Sequence, residues 1–382
     1  MRSARLKLLA VVLVLTGFTG LGAADRQAIG PGPSLPARLT DQQFWRLSAE
    51  LSEPAGFFRS ENLVSNEHTF QYVIPALRRQ VKRGGVYLGV APDQNFTYIV
   101  ATEPRIAFIV DIRRGNLLQH LMYKALIELS VDRADFVSRL FSKARPPGVG
   151  AASSVGELFA AYTEVATSED LYRQNVRAIR EQLLKRHGFP LTADDVASLE
   201  SIYFAFFWEG PGLRYTAGFG SGGARGVPSR FPTYEELMLQ TDLEGVPHGY
   251  LATEAHFRAI KQLQERNLIV PVVGNFAGPK ALRAVGRYAR EHRATVQTFY
   301  VSNVEQYLVQ DGLFEAFARN VATLPVDASS TFVRSVATRL GYRGLALGPD
   351  KRASALDPIA PFVRDFKGGR IQMYHDVNER SR

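Results

Sequence analysis

Apolar residues along this chain come in blocks, and the blocks change character in a regular order. Between residues 85 and 111 an apolar run, GVYLGV, is followed by a segment of helical length and then by AFIVDI, with Asp111 near its end. Short continuous apolar runs read as strands buried on both faces, as in a parallel sheet, whereas strict alternation marks a strand with one wet face. Strands are therefore predicted at residues 85–90 and 107–112 with a crossover helix between them. The pattern returns as LIVPVVGN at 268–275, a helical stretch at 279–292 and TVQTFYVSN at 295–303. STFVRSV at 330–336 and IQMYHDV at 371–377 alternate instead, which predicts an antiparallel pair closing the sheet at its carboxyl-terminal end.

Helical spacing fills the intervals. Leu39, Phe44, Leu47 and Leu51 predict a first helix over 39–51, with Thr40 and Asp41 as capping candidates. A second helix is expected at 69–81 despite Pro75. A third opens at Gly115 and Asn116, where Leu117, Leu121 and Ala125 interleave with Leu118, Met122 and Leu126 to give one broad apolar face. Residues 131–263 read as mainly helical, broken by ARPPGVG at 144–150 and by the glycine-rich stretch at 218–232. This region is expected to be an insertion, partly a lid, between two halves of the sheet. The predicted class is α/β, with residues 39–130 and 264–382 supplying the two halves of a mostly parallel sheet.

The amino terminus adds a compartment. Arg2, Arg5 and Lys7 precede an apolar run from Leu8 to Leu15 and small residues up to Ala24, so residues 1–24 are expected to be a cleaved secretory leader and the protein to be periplasmic or secreted. The run is broken by Thr16, Gly17, Thr19 and Gly20 and falls short of the ~20 apolar residues of a membrane span, so no stable span is expected after cleavage. Residues 25–38, with GPGPSLP, read as an extended linker. The chain has no cysteine, which excludes disulfides, thiolate metal sites and a cysteine nucleophile. Loss of Arg2, Arg5 and Lys7 lowers the formal charge from +9 to +6. The basic residues are scattered, without the run that a nucleic-acid arm requires, so a small molecule is the expected partner and nucleic acid is not.

The candidate chemistry collects at strand ends. Asp111 stands 22 positions after Gly89, close to the spacing at which a Rossmann-type crossover sets an acid against ribose hydroxyls. The further glycines of a dinucleotide fingerprint are replaced by Val90, Ala91, Pro92 and Asp93. Gly89, Asp93, Gln94, Asn95, Asp111 and Arg113 are the cofactor-binding candidates. For Asp93 and Asn95 a helix-capping role stands beside the ligand role, and for Asp111 so does an ion pair with Arg113 or Arg114. Asn275, Ser302, Asn303 and Glu305 end two later strands and would share one rim. Glu61, Asn62, Asn66 and Glu67, flanked by Phe57, Phe58 and Leu63, form a polar segment that can cover a pocket. Gly218, Gly220 and Gly223 satisfy G-x-G-x-x-G by letter, but Pro228 and Pro232 follow where a helix should start and no basic residue stands at a phosphate-loop position. Ser221 lacks the strand and helix of a nucleophile elbow. The seven histidines show no metal-ligand spacing and no metal is expected.

The first-strand turn, the acid ending the second strand, the polar end of LIVPVVGN and the carboxyl-terminal pair together resemble a class I methyltransferase-type Rossmann sheet. The segments FFRSENLVSNE, VYLGVAPDQNFTYI, FIVDIRRGNLLQHL, VPVVGNFAGPKAL and FYVSNVEQYL also resemble those of a family of uncharacterised bacterial proteins with such a domain. The resemblance implies a methyltransferase-like Rossmann fold with S-adenosylmethionine or a related nucleoside at the carboxyl ends of the strands. Gly89 would then admit the amino-acid end of the ligand, Asp111 would hold the ribose, and Asn275 or Glu305 would orient the nucleophile. The alternative is an exported, non-catalytic binding or scaffold protein with a degenerate site.

Overall fold

The computed structural model describes residues 34–60, 62–215, 231–337 and 344–371. The expected leader, residues 25–33 of the linker, Glu61, residues 218–230 of the glycine-rich stretch and residues 372–377 of the last expected strand lie outside these. Leu35, at the end of the predicted linker, is buried, so that segment rejoins the core earlier than its composition suggests.

Six strands form one sheet: β1 (Val86–Gly89), β2 (Ile106–Asp111), β3 (Ile269–Val273), β4 (Val296–Ser302), β5 (Thr331–Ala337) and β6 (Arg352–Pro358). Their order is β3-β2-β1-β4-β5-β6. Pairing is parallel from β3 across to β5, and β6 alone runs antiparallel. Every residue of β1, β2 and β3 is buried, as their unbroken apolar runs require of strands covered on both faces.

The mostly parallel sheet with a carboxyl-terminal antiparallel pair thus forms as expected, but with a different last strand. Thr331–Ala337 pairs with Arg352–Pro358, in register Thr331 to Pro358 through Ala337 to Arg352. The sequence RASALDP lacks β-branched and aromatic residues, and it is paired on one side only, where Pro358 can stand at the strand's end without breaking a ladder.

The helices α1 (Asp41–Leu51), α2 (Ile74–Gln80), α3 (Gln94–Thr102) and α4 (Arg114–Leu129) come first. At α1, Thr40 and Gln43 close a capping box. Helix α2 is shorter than the expected 69–81, because Pro75 falls in its first turn, where a missing N–H costs nothing. Helix α4 is buried from Asn116 through Ile127, since it lies between the sheet and the inserted helices.

Those are α5 (Arg133–Phe141), α6 (Val155–Thr163), α7 (Glu169–Arg180), α8 (Ala193–Glu209), α9 (Tyr234–Met238) and α10 (Glu254–Glu265). Helices α5, α8 and α10 pack on α4, and α10 also reaches α3. Their apolar residues join those of the sheet in one continuous core. Helices α11 (Ala281–Glu291), α12 (Val304–Gln310), α13 (Phe314–Val321) and α14 (Ile359–Lys367) complete the fold. No described helix is long and apolar enough to cross a membrane.

Candidate functional site

Strand order reverses between β1 and β4, since the chain moves outward from β1 through β2 and β3 and then returns to β1's other side. In open parallel sheets the loops diverge at such a point and leave a crevice at the carboxyl ends of the strands. A cavity of about 340 Å³ lies there, at the small end of the range of ligand pockets. Its wall comes from the end of β1 (Val90, Ala91), of β2 (Asp111, Ile112, Arg113), of β3 (Gly274, Asn275, Phe276) and of β4 (Ser302, Asn303). Phe57, Phe58, Arg59 and Asn62 cover it, and Tyr307 and Leu308 of α12 close one side. A smaller cavity adjoins, sharing Phe58, Asn62, Ala91, Ser302 and Tyr307 and adding Asn66 and Tyr215.

The cover is aromatic and cationic. Phe58 meets Tyr307 edge-to-face at 5.1 Å, and the Arg59 guanidinium sits 5.0 Å from the centroid of the same ring. The floor is strained. Asn62, Ala91 and Ser302 have φ of +50°, +67° and +51°. Asparagine tolerates this region at little cost, but alanine and serine are held there by their surroundings.

At Ala91 the holding group is visible. Asn95 turns inward and donates through Nδ2 to the carbonyl oxygens of Val90, Ala91 and Pro92 at 2.8, 3.2 and 2.7 Å. It accepts the Tyr87 hydroxyl at 2.9 Å. A Cβ on Gly89 would overlap Asn95 Oδ1. An internal strut therefore suffices to require glycine at 89, and neither Gly89 nor Asn95 lines the cavity.

Asp93 is also internal. Its carboxylate is 3 % exposed and accepts the Tyr250 hydroxyl at 3.0 Å, and Tyr250 and Tyr234 share a hydrogen bond of 2.5 Å. Burial pushes Asp93 up to about 6, against the pull of Tyr250. Across the turn, His120 contacts the Ala91 carbonyl oxygen through Nε2 at 2.9 Å. Its burial lowers it to about 4, opposed by that hydrogen bond.

Asp111 lines the cavity, but Arg113 engages both of its oxygens: the backbone N–H and Nε reach Oδ1 at 2.9 and 3.0 Å, and Nη2 reaches Oδ2 at 2.9 Å. Of a carboxylate's roughly four acceptor positions, one on Oδ2 remains. Asn275 lines the cavity with its Oδ1 accepting from the Ala277 N–H at 2.9 Å, in an Asx turn.

Glu305 does not reach the cavity. It is 1 % exposed and accepts both Nε and Nη2 of Arg334, at 2.7 and 3.0 Å, while Arg334 Nη1 donates to Asp357. The expected role in orienting a nucleophile is replaced by a buried ion-pair triad. Gln94 and Glu67 lie behind the wall, bonded to each other at 3.0 Å. The cavity thus brings together Asn62, Asp111, Arg113, Asn275, Ser302 and Asn303, with Asn66 in the annex, and leaves Gly89, Asp93, Gln94, Asn95, Glu67 and Glu305 out. Tyr307 and Arg59 are pocket residues that the sequence reading passed over. The helical spacing of Val304, Tyr307 and Leu308 after a strand end was the available signal. Among the described residues no group of three or more His, Asp or Glu side chains could hold a metal ion.

Sheet order and cavity define an α/β protein of the open, mostly parallel kind with a cleft at its strand ends. Residues 62–189 and 223–353 match a family described as a domain of unknown function, DUF7790, and the chain belongs to that family. No curated protein matches it.

Proposed function

We propose that the cavity binds a small molecule carrying a nucleoside or a similar planar, polar group, in a Rossmann-type sheet of methyltransferase-like design. The observation that carries this reading is the convergence of Asp111, Asn275, Ser302 and Asn303 from three strand ends on one cavity beside the switch between β1 and β4. The strand order is that of dinucleotide-binding sheets. Phe58 and Tyr307 offer ring faces for a base, and the open position on Asp111 Oδ2 can accept one hydroxyl. S-adenosylmethionine is the leading ligand by resemblance, and methyl transfer would be the chemistry it brings.

The turn after β1 fits that group less well. Asn95 fills the space under Gly89, and Arg113 occupies most of Asp111. Those two observations favour the second reading, an exported binding protein that keeps the architecture without the reaction, and no catalytic step is derived through the cofactor.

Calorimetry of the protein from Asp25 onward with S-adenosylmethionine and with S-adenosylhomocysteine tests the first reading. Saturable heat with either is expected, weakened by Asp111→Ala and by Tyr307→Ala. Absence of heat and of any thermal shift with both ligands would remove it. Binding left unchanged by Asp111→Ala would remove the ribose role alone.

A further inference from the structure

The backbone between β4 and α12 departs most from regular geometry where it meets the cavity. The pairing of β4 with β5 shifts register between Tyr300 and Ser302, a bulge of the kind that re-aims a side chain beside a site. Ser302 then takes its φ of +51° immediately before α12. The placement is strand, strained serine, helix, as in a nucleophile elbow, with Tyr300 and Val304 where such elbows carry glycine.

The side chain so presented has a partner of particular chemistry. Ser302 Oγ donates to Glu67 Oε1 at 2.5 Å. Glu67 is 3 % exposed, and the other donors to its carboxylate are neutral: the Tyr300 hydroxyl at 2.8 Å on Oε1 and the Gln94 amide at 3.0 Å on Oε2. Of the three donors to this carboxylate, Ser302 alone lines the main cavity, while Tyr300 lines only the annex. Ser302 lines both the main cavity and its annex, together with the side-chain amides of Asn62 and Asn303.

We propose that Ser302 is a nucleophile for acyl transfer, with Glu67 as its proton acceptor, acting on carboxylic esters small enough for the cavity. Ser302 Oγ bonds to the ester carbonyl carbon as its proton passes to Glu67. The resulting oxyanion accepts a hydrogen bond from the amide of Asn62, or from Asn303 once its side chain turns over, since Asn303 Oδ1 now lies 3.4 Å from Ser302 Oγ. Collapse breaks the bond to the alkoxy oxygen, which leaves as an alcohol with the proton returned by Glu67. Water then adds to the acyl-serine, giving one proton to Glu67, and the carboxylic acid departs as Ser302 Oγ regains that proton. The cycle uses water alone and does not depend on nucleoside binding.

The test treats the protein from Asp25 onward with a fluorophosphonate–biotin probe, maps the adduct by mass spectrometry and follows hydrolysis of p-nitrophenyl acetate. The expected result is an adduct on Ser302, absent in Ser302→Ala. In Glu67→Gln the labelling rate should fall about a hundredfold or more. Gln94 can turn its unpartnered Oε1 toward the new amide, so that variant keeps its hydrogen bonds. Glu67→Asp, which withdraws the charge by one methylene, is the second variant, and circular dichroism confirms that each is folded. No adduct on Ser302 of the wild type overturns the proposal, as does labelling at the wild-type rate in either folded Glu67 variant. Calorimetry with S-adenosylhomocysteine on the same preparation keeps the two readings of the cavity separate.

Discussion

Replacing Asp93 by asparagine should stabilise the protein at neutral pH and steepen its loss of stability in acid. Burial raises Asp93 from its ordinary 3.8 to about 6. The folded chain therefore holds this proton more tightly than the unfolded chain does, and the stabilisation is complete below 3.8 and lost as pH rises through 6. About two pH units correspond to roughly 3 kcal/mol. His120 works in the opposite sense. Its value falls from 6.5 to about 4, so its contribution is present above 6.5 and lost as pH falls toward 4, again by roughly 3 kcal/mol. Near pH 5 the folded state carries one proton on Asp93 and the unfolded state one on its histidine, so the two slopes cancel.

In Asp93→Asn the amide oxygen can still accept the Tyr250 hydroxyl, while the His120 slope is no longer offset and adds to that of His256, which burial also lowers. Urea unfolding followed by circular dichroism from about pH 4 to 8 should show the variant more stable than wild type near pH 8, by up to roughly 3 kcal/mol. That advantage should disappear toward pH 4. His120→Gln should show the reverse slope, gaining stability as pH falls through 6. A variant with the same pH slope as the wild type, or one no more stable near pH 8, would refute the reasoning.

Other consequences follow from the same coordinates. Asn95→Ala removes one donor from three buried carbonyl oxygens and should cost about 2–4 kcal/mol in chemical denaturation. Gly89→Ala should be more damaging in the wild type than in the Asn95→Ala background, because the severest clash is with Asn95, while a milder one with the Tyr87 ring remains in both; a double-mutant cycle with no coupling would contradict the strut. Arg334→Ala removes the guanidinium that joins the buried Glu305 to Asp357 and should destabilise by about 3–5 kcal/mol. Glu305→Gln, which does not touch the cavity, should leave the affinity of any cavity ligand unchanged in calorimetry.

The strands that carry the cavity could be read from the chain because their burial on both faces writes itself as unbroken apolar runs, in VYLG, IAFIVD and IVPVV alike. Strand β6 could not, since Ala353 and Ala355 are covered by Val336 and Leu345, Ser354 is held by the distant Thr69, and none of the three needs β-forming character of its own. The rim followed from the strands: once their ends are known, Asp111, Asn275 and Ser302 must lie at one edge. What each polar group does there was settled by long-range partners. Nothing in the local sequence says that Asn95 turns back under Gly89, that Glu305 meets Arg334, or that Glu67 lies under Tyr300 and Ser302. The chosen residues were the right neighbourhood, and half of them serve as its internal framing.

Strands β1 and β4 lie side by side, yet everything from Val90 to Thr295 separates them along the chain. A ribosome must therefore release most of the polypeptide before the second half of the crevice exists, and closing so long a loop makes this pairing a late and slow event in folding. A fragment ending before β4 would hold a carboxylate and an arginine at an open edge with nothing opposite. Whatever binds in the crevice can reward only the finished fold, which makes occupancy a direct reporter of complete assembly.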